Sequence, residues 1–463
     1  MMLESGSTQI IILIEIKGEI TMTSPPIINT TAMKYRAYTL QTYRQIPQMN
    51  ALPEDEKFAI DVVGNVLPFR INNYVIENLI DWENVPDDPI YRLTVPQKGM
   101  LTPDHFDAMA RLLKRGASPE EIRTTANKIR LQLNPHPAGQ LEYNVPTVNG
   151  VKLTGVQHKY QETVLFFPSQ GQTCHAYCTF CFRWPQFVGM DELKFAMKET
   201  ELLTEYLYQH PEVTDILFTG GDPMIMRSSA LASYIEPLLA IESIHTIRIG
   251  TKALSYFPYR FTTESDADEL MRLFDKVAAS GKHLAIMAHV NHPHELRTQA
   301  LEDAVARIRN TGAQIRTQSP LMRHINADAQ TWAKMWRRQV DLGMIPYYMF
   351  LARDTGAQHY FAVPLVEAWQ IFREAYQQVS GICRTVRGPS ASATPGKIQV
   401  LGVSEVYGEK VIALRFLQGR NPDWVHRPFF AKYDEKATWV DELVPAFGEE
   451  RFFFEEENLV VAS

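Results

Sequence analysis

Cys174-His175-Ala176-Tyr177-Cys178-Thr179-Phe180-Cys181 holds three of the chain's four cysteines, spaced C-x3-C-x2-C. Three thiolates in one loop can hold three irons of a cubane iron–sulfur cluster, and the fourth iron then has no protein thiolate. An open metal position is where a substrate or cosubstrate coordinates. Zinc is the competing occupant. It wants four ligands, usually in C-x2-C pairs, and His175 as the fourth has poor reach from inside the loop. A disulfide staple does not suit a long chain with four cysteines and no secretory signal.

The loop follows a short apolar run, 163–167, that reads as a strand. Five more such runs follow, at 215–218, 246–249, 284–287, 314–316 and 347–351, with helical stretches such as 230–239, 266–277 and 301–310 between them. Six β-α units in a row predict a parallel sheet covered by helices. Polar motifs come just after the strands. Thr219-Gly220-Gly221-Asp222-Pro223 follows the second, Gly250-Thr251-Lys252 the third and His289-Val290-Asn291-His292-Pro293 the fourth. Gln318-Ser319 follows the fifth and Arg353-Asp354 the sixth. Chemistry gathered at the carboxyl ends of parallel strands is the arrangement of β/α barrels. The expected fold class is therefore α/β, a partial (βα)6 TIM-like barrel with a helical N-terminal domain and a small C-terminal extension.

The 463 residues are 45% hydrophobic and 21% charged, enough for one large core plus an accessory layer. A net charge of -7 without a long basic run argues against nucleic acid as a partner. The apolar run Ile10-Ile11-Ile12-Leu13-Ile14 is cut short by Glu15 and Lys17. It is too short to span a bilayer, so no membrane partner is expected, and Met22 or Met33 is a candidate start. Residues 1–60 read as an irregular segment and 61–150 as a helical domain. In the latter, Thr102-Pro103-Asp104 starts a helix, Gly116 stops it, and Ser118 with Glu121 forms a capping box. Pro135, Pro137 and Gly139 make its exit. Residues 151–365 carry the barrel. Residues 366–463 form a C-terminal region whose aromatic, acidic end is expected to close the barrel mouth or build a subunit contact.

Beyond the cysteine loop, an ordered set of stretches carries a family likeness. They are Gly220-Gly221-Asp222, Arg248-Ile249-Gly250-Thr251-Lys252, His289-Val290-Asn291-His292-Pro293-His294-Glu295, Gln318-Ser319-Pro320-Leu321-Met322-Arg323, Pro346-Tyr347-Tyr348 and Pro395-Gly396-Lys397. The chain resembles the lysine 2,3-aminomutase family of radical S-adenosylmethionine (radical SAM) enzymes from about residue 60 to 415. That resemblance implies a cytoplasmic isomerase with a [4Fe-4S] cluster, S-adenosylmethionine and pyridoxal 5′-phosphate (PLP). In such enzymes an amino acid is held on PLP through its α-amine. A 5′-deoxyadenosyl radical removes the β-hydrogen, and the amine ends on the β-carbon. The cofactors carry the chemistry, and the protein sets their separation and excludes water. A small-molecule amino acid, a flavodoxin- or ferredoxin-type electron donor and a homo-oligomer are the implied partners.

The resemblance also implies residue roles. Cys174, Cys178 and Cys181 match the cluster ligands. Gly220, Gly221 and Asp222 match the loop that takes the methionyl amine of S-adenosylmethionine, the carboxylate accepting from the ammonium. Lys397 matches the lysine that bonds PLP, with Cys383 fourteen positions before it as in the family. Lys159 stands where the family has an arginine on the PLP phosphate, and there it offers a point charge without the bidentate fork. Arg183, two residues after the last cysteine, matches the arginine on the substrate carboxylate. His289 and Gln318 either line the S-adenosylmethionine pocket or belong to polar loops capping strand ends.

The departures bear on substrate. The family's lysine enzymes hold the distal ammonium with two aspartates. Ungapped alignment puts Arg353 at one position, with Asp354 beside it, and Ser390 at the other. A cation in place of a carboxylate repels a lysine side chain, while Arg353 and Arg387 suit an anionic or polar one. A one-residue slip restores Asp354 and readmits lysine. The loop before Lys397 has also lost the family's glycine run. Two alternatives to the aminomutase stay open: a PLP-independent radical SAM enzyme of the same fold doing another hydrogen abstraction, and a non-catalytic iron–sulfur protein.

Overall fold

Alternating side chains build a sheet with two different faces. Along Asp215–Phe218 and Thr246–Thr251, Ile216, Phe218, Ile247 and Ile249 are fully buried. They pack under helices such as Ala267–Ala279, whose Leu270, Phe274 and Val277 meet them. The intervening Leu217 and Arg248 face the opposite way, into a cavity. Period-two alternation is what separates these two sets. The computed structural model describes residues 28, 30, 32–134, 144–189 and 194–455. The apolar run at 10–14, Met22, and the helix exit at Pro135, Pro137 and Gly139 lie outside the described residues.

A small pair, β1 (Ala37–Thr39) with β2 (Arg70–Asn72), and a hairpin, β3 (Thr147–Val148) with β4 (Val151–Lys152), precede the main sheet. That sheet has eleven strands in strict chain order. β5 (Val156–Tyr160) is antiparallel to β6 (Thr163–Phe166). The parallel run continues through β7 (Asp215–Phe218), β8 (Thr246–Thr251), β9 (His283–His289), β10 (Gln314–Leu321) and β11 (Ile345–Leu351). These are the six expected strands; β8 to β11 run longer than expected, so Gln318 and Ser319 sit inside β10 and not after it.

A seventh parallel strand, β12 (Arg387–Ser392), joins β11. A long antiparallel hairpin follows, β13 (Gly396–Val406) and β14 (Glu409–Gly419), then β15 (Pro428–Lys432). The sheet curls until its distant parts meet: Lys159 Nζ on β5 donates to Ala393 O just past β12, at 2.5 Å. The result is a partial barrel, α/β in class, whose hollow side holds the cavity. The aromatic end of the chain folds onto this hairpin. Phe452 and Phe454 are buried against Phe416, Phe429 and Trp424 of the same chain.

Residues 32–60 depart from the irregular segment expected of them. They contain β1 and a helix, Glu54–Gly64. Glu54, Asp55 and Glu56 load that helix's first turn, where they favour the dipole, and Ile60, Val62 and Val63 bury its inner face. The other helix signals hold. Thr102 caps Pro103–Lys114, Gly116 follows with φ of 66°, and Ser118 and Glu121 cap each other at Pro119–Leu133. This N-terminal layer forms one core with Ala176, Trp184, Tyr256 and Phe257, so it packs directly on the cysteine loop. Among the described residues no helix is long and apolar enough to cross a membrane.

Candidate active site

The cysteine loop leaves the carboxyl end of β6 and is held from outside. Tyr177 N donates to Arg70 O at 2.8 Å, and Thr179 N to Leu93 O at 2.9 Å. Asn72 Nδ2 and Tyr35 Oη both donate to His175 O. Strand β2 and the helix Pro89–Thr94 therefore set the loop's course. The His175 ring stacks on Phe257 and meets Tyr35 edge-on. It is a buried core histidine, driven down to about 3 by burial and by Arg260 and Arg70, and it does not complete a zinc site. Among the described residues no three His, Cys, Asp or Glu side chains converge as a single-ion site requires. A cubane tolerates such a spread, because each thiolate binds its own iron. All three cysteines are free. Burial pushes Cys178 to about 12, Cys181 to about 11 and Cys174 well up, so a metal's charge is needed to ionise them.

The Gly220-Gly221-Asp222 turn is used differently from the expectation. A Cβ on Gly221 would lie 2.5 Å from Thr173 N, and one on Gly220, at φ 135°, 2.3 Å from Gln172 Nε2. The glycines let the start of the cysteine loop cross the end of β7. Asp222 is buried, and its carboxylate is fully engaged. Oδ1 accepts from Met224 N and Thr251 Oγ1, Oδ2 from Lys252 N and Ala253 N, all at 2.7–3.0 Å. It braces the turn after β8 and has no lone pair in reserve for an ammonium.

Beside Asp222 lies a buried ion pair. Lys252 Nζ donates to Glu295 Oε2 at 2.5 Å, to Asn291 Oδ1 at 2.8 Å and to His289 O at 3.2 Å. Glu295 Oε1 accepts from Asn291 N and His292 N. Tyr256, 4.2 Å from the Lys252 ammonium, places its hydroxyl 3.7 Å from Cys178 Sγ. The pair thus ties the ends of β8 and β9 behind the cysteine loop. His289 and Gln318 oppose each other in the β9–β10 register, and the His289 ring lies 5.6 Å from Phe180 of the loop. On its other side Gln318 pairs in register with Tyr348, a cavity-lining residue, although neither His289 nor Gln318 is itself in that lining. Glu295 is wholly buried, so Lys252→Met strands its charge. It is expected to destabilise the protein by about 3–5 kcal/mol, read as a lower urea midpoint. A change within experimental error would show that Glu295 gains solvent or a proton at no cost.

The main cavity, about 530 Å³, opens on the hollow side of the sheet. Lys397 of β13 projects into it. Its Nζ donates to Gln418 Oε1 at 2.9 Å and stands 4.4 Å from the Tyr348 ring centroid. Burial, then Arg248 and Arg387, hold this amine down at about 7. Lys159 is also held well below the usual lysine range, by burial and by Arg420, Arg353 and Lys397. Arg248 is paired with Asp215. Arg387 lies over the rings of Tyr347 and Tyr348, at 4.2 and 4.4 Å. Arg183 is buried against Phe167 and Phe182 and also lines the cavity. Burial brings Arg183 down to about 9, with Arg353 adding to the effect.

Arg183 joins the two halves of the site: it is two residues from Cys181, and it forms the wall of the Lys397 cavity. Trp184 Nε1 donates to Thr355 Oγ1, which fixes the Arg353-Asp354 segment against the loop. The structure thus brings Lys159, Arg183, Arg353, Asp354 and Lys397 into one cavity. Ser390 is not among them. It is fully buried, with its hydroxyl 3.4 Å from Met349 O, and Ser392 faces the cavity in its place. Gln418, Arg420 and Trp439 also line the cavity. No motif marks them, since they arrive from the hairpin and the segment after it.

No protein-family model matches the chain. An Escherichia coli protein named L-lysine 2,3-aminomutase is 31% identical over 252 residues, 53% of this chain and 69% of that one. The chain belongs to the lysine 2,3-aminomutase family. A second family relative, from Aquifex aeolicus and with a provisional aminomutase name, is 29% identical over 86% of this chain and 93% of its own. A third, L-lysine 2,3-aminomutase of Methanococcus maripaludis, is 22% identical over 90% of this chain and 91% of that one. Solved structures overlap only in part. A radical SAM methyltransferase from Sphaerobacter thermophilus reaches TM-score 0.35 at 16% identity, over 61% of this chain and 92% of that one.

Proposed function

We propose that this chain is a PLP-dependent 2,3-aminomutase that moves the α-amine of an amino acid to its β-carbon, and that free lysine is not its preferred substrate. The observation carrying this reading is the Lys397 amine, standing in a cationic cavity whose wall is Arg183, two residues beyond the last cysteine. When bound, the cluster and S-adenosylmethionine supply a hydrogen-abstracting radical, and PLP supplies the carbonyl carbon and conjugated ring that activate the amine.

The chain's own groups do the rest. Cys174, Cys178 and Cys181 would hold three irons. Asp222 and the Lys252–Glu295 pair brace the turns beside them. Lys397 presents an unprotonated amine, steadied by Gln418. Lys159 and Arg420 offer charge to a phosphate, and Arg183 to the substrate's α-carboxylate. Phe182 and Trp439 narrow the water path. An external one-electron donor of the flavodoxin or ferredoxin type completes the system.

Anaerobically reconstituted protein, given PLP, dithionite and a panel of α-amino acids, is expected to release β-amino products. Cleavage of S-adenosylmethionine with no β-amino product from any amino acid would sink the aminomutase reading in favour of a PLP-independent radical enzyme.

Lys397 also has a pH signature. Arg248, Arg387 and Lys159 face its amine, and Asp215 only partly offsets them. Below about 7 the amine is protonated and unreactive, and above it the amine is free. Borohydride trapping of PLP on Lys397 is therefore expected to rise with pH through about 7. A midpoint near the ordinary lysine value of about 10.4 would show that neither burial nor these cations act on it.

A further inference from the structure

The cavity holds more positive charge than the proposed reaction uses. Arg248 is matched by Asp215, and the reaction proposed above assigns Lys159 and Arg420 to a phosphate and Arg183 to the α-carboxylate, which leaves Arg353 and Arg387 without a role in it. A phosphate brings about two negative charges and an α-carboxylate brings one. Arg353 and Arg387 then remain for the substrate's side chain.

The surplus has a location. Arg353 sits on the same wall as Arg183, their guanidiniums 5.5 and 5.1 Å from the one Phe182 ring. Within the described residues the only hydrogen bond of Arg353 runs from Nε to Asp354 Oδ1, at a long 3.4 Å. The two terminal nitrogens, the fork that grips a carboxylate bidentately, remain available. A lysine ε-ammonium in this place meets like charge at short range, which is costly in a partly dry cavity.

We infer that the substrate is a dicarboxylic α-amino acid, its α-carboxylate on Arg183 and its side-chain carboxylate on Arg353. This rests on the aminomutase reading above and names the substrate class for the same site. Arg353 is then the residue that sets specificity.

Two measurements test it together. The first is calorimetric titration of the purified protein with glutarate and with 1,5-diaminopentane. Glutarate is expected to bind, at least tenfold more weakly to Arg353→Met, and the diamine not to bind. The Arg353 side chain is 35% exposed, so the variant is expected to fold. The second is turnover of L-glutamate, L-aspartate and L-lysine. One of the acidic pair is expected to exceed lysine at least tenfold in kcat/KM, with the order reversed in Arg353→Asp.

Product from lysine alone overturns the inference and leaves the aminomutase reading intact. Glutarate binding that ignores Arg353 overturns it as well. Arg353-dependent glutarate binding without a β-amino product from any amino acid supports the acidic-ligand pocket and overturns the aminomutase reading.

Discussion

Alanine at Cys178 is expected to reduce cleavage of S-adenosylmethionine to background. With one thiolate gone, an iron loses its only protein ligand, and a cubane held by two thiolates does not keep a defined open corner. The change should spare the fold. The loop's course is set by backbone bonds at Tyr177 and Thr179, and by His175 O, not by the cysteine side chains. Iron content and visible absorbance should therefore fall in a protein whose circular dichroism is unchanged. Full iron loading together with wild-type cleavage in this variant would refute the assignment of the three cysteines.

Alanine at Lys397 is expected to separate the two halves of the site. The amine is on β13, across the cavity from the cysteine loop, and its contacts are Gln418 and Tyr348. Cluster loading and uncoupled cleavage of S-adenosylmethionine should persist. Borohydride should no longer fix PLP to the protein, and β-amino product should fall to background. The residue also buries a polar amine whose charged form is disfavoured there, so the variant should be no less stable than the parent. Amine migration at the parental rate in Lys397→Ala would refute the PLP assignment.

Much of this was legible in the chain before folding. Six apolar runs, each followed by a polar motif, predicted the parallel strands, and all six are present. β12 was missed because Arg387-Gly388-Pro389-Ser390-Ala391-Ser392 lacks the β-branched and aromatic residues that mark strands. It pairs because β11 and β13 leave a place between them. The helix Glu54–Gly64 was missed because its polar and proline-containing surroundings masked a short apolar face.

Some contacts of the site residues could not be read from spacing. Gly221 and Asp222 looked like ligand-facing residues. Their partners are Thr173, Thr251, Lys252 and Ala253, brought from other loops. Ser390 looked like a substrate contact by its distance from Lys397. Along β12 the neighbouring inward position, Ser392, is the one that opens on the cavity.

By itself the sequence determined the cysteine loop and its spacing, the order of the parallel strands and the family. Those are properties of local spacing and of period-two alternation, which a chain carries wherever it folds. Tertiary structure alone decided which charges share a cavity. Lys159, Arg183, Arg353, Lys397 and Arg420 lie on five separate segments. Only the curl that brings Lys159 of β5 onto the carbonyl of Ala393 sets them around one void. Charge–charge energy depends on distance through space and on burial, and neither is written in the spacing of residues along the chain.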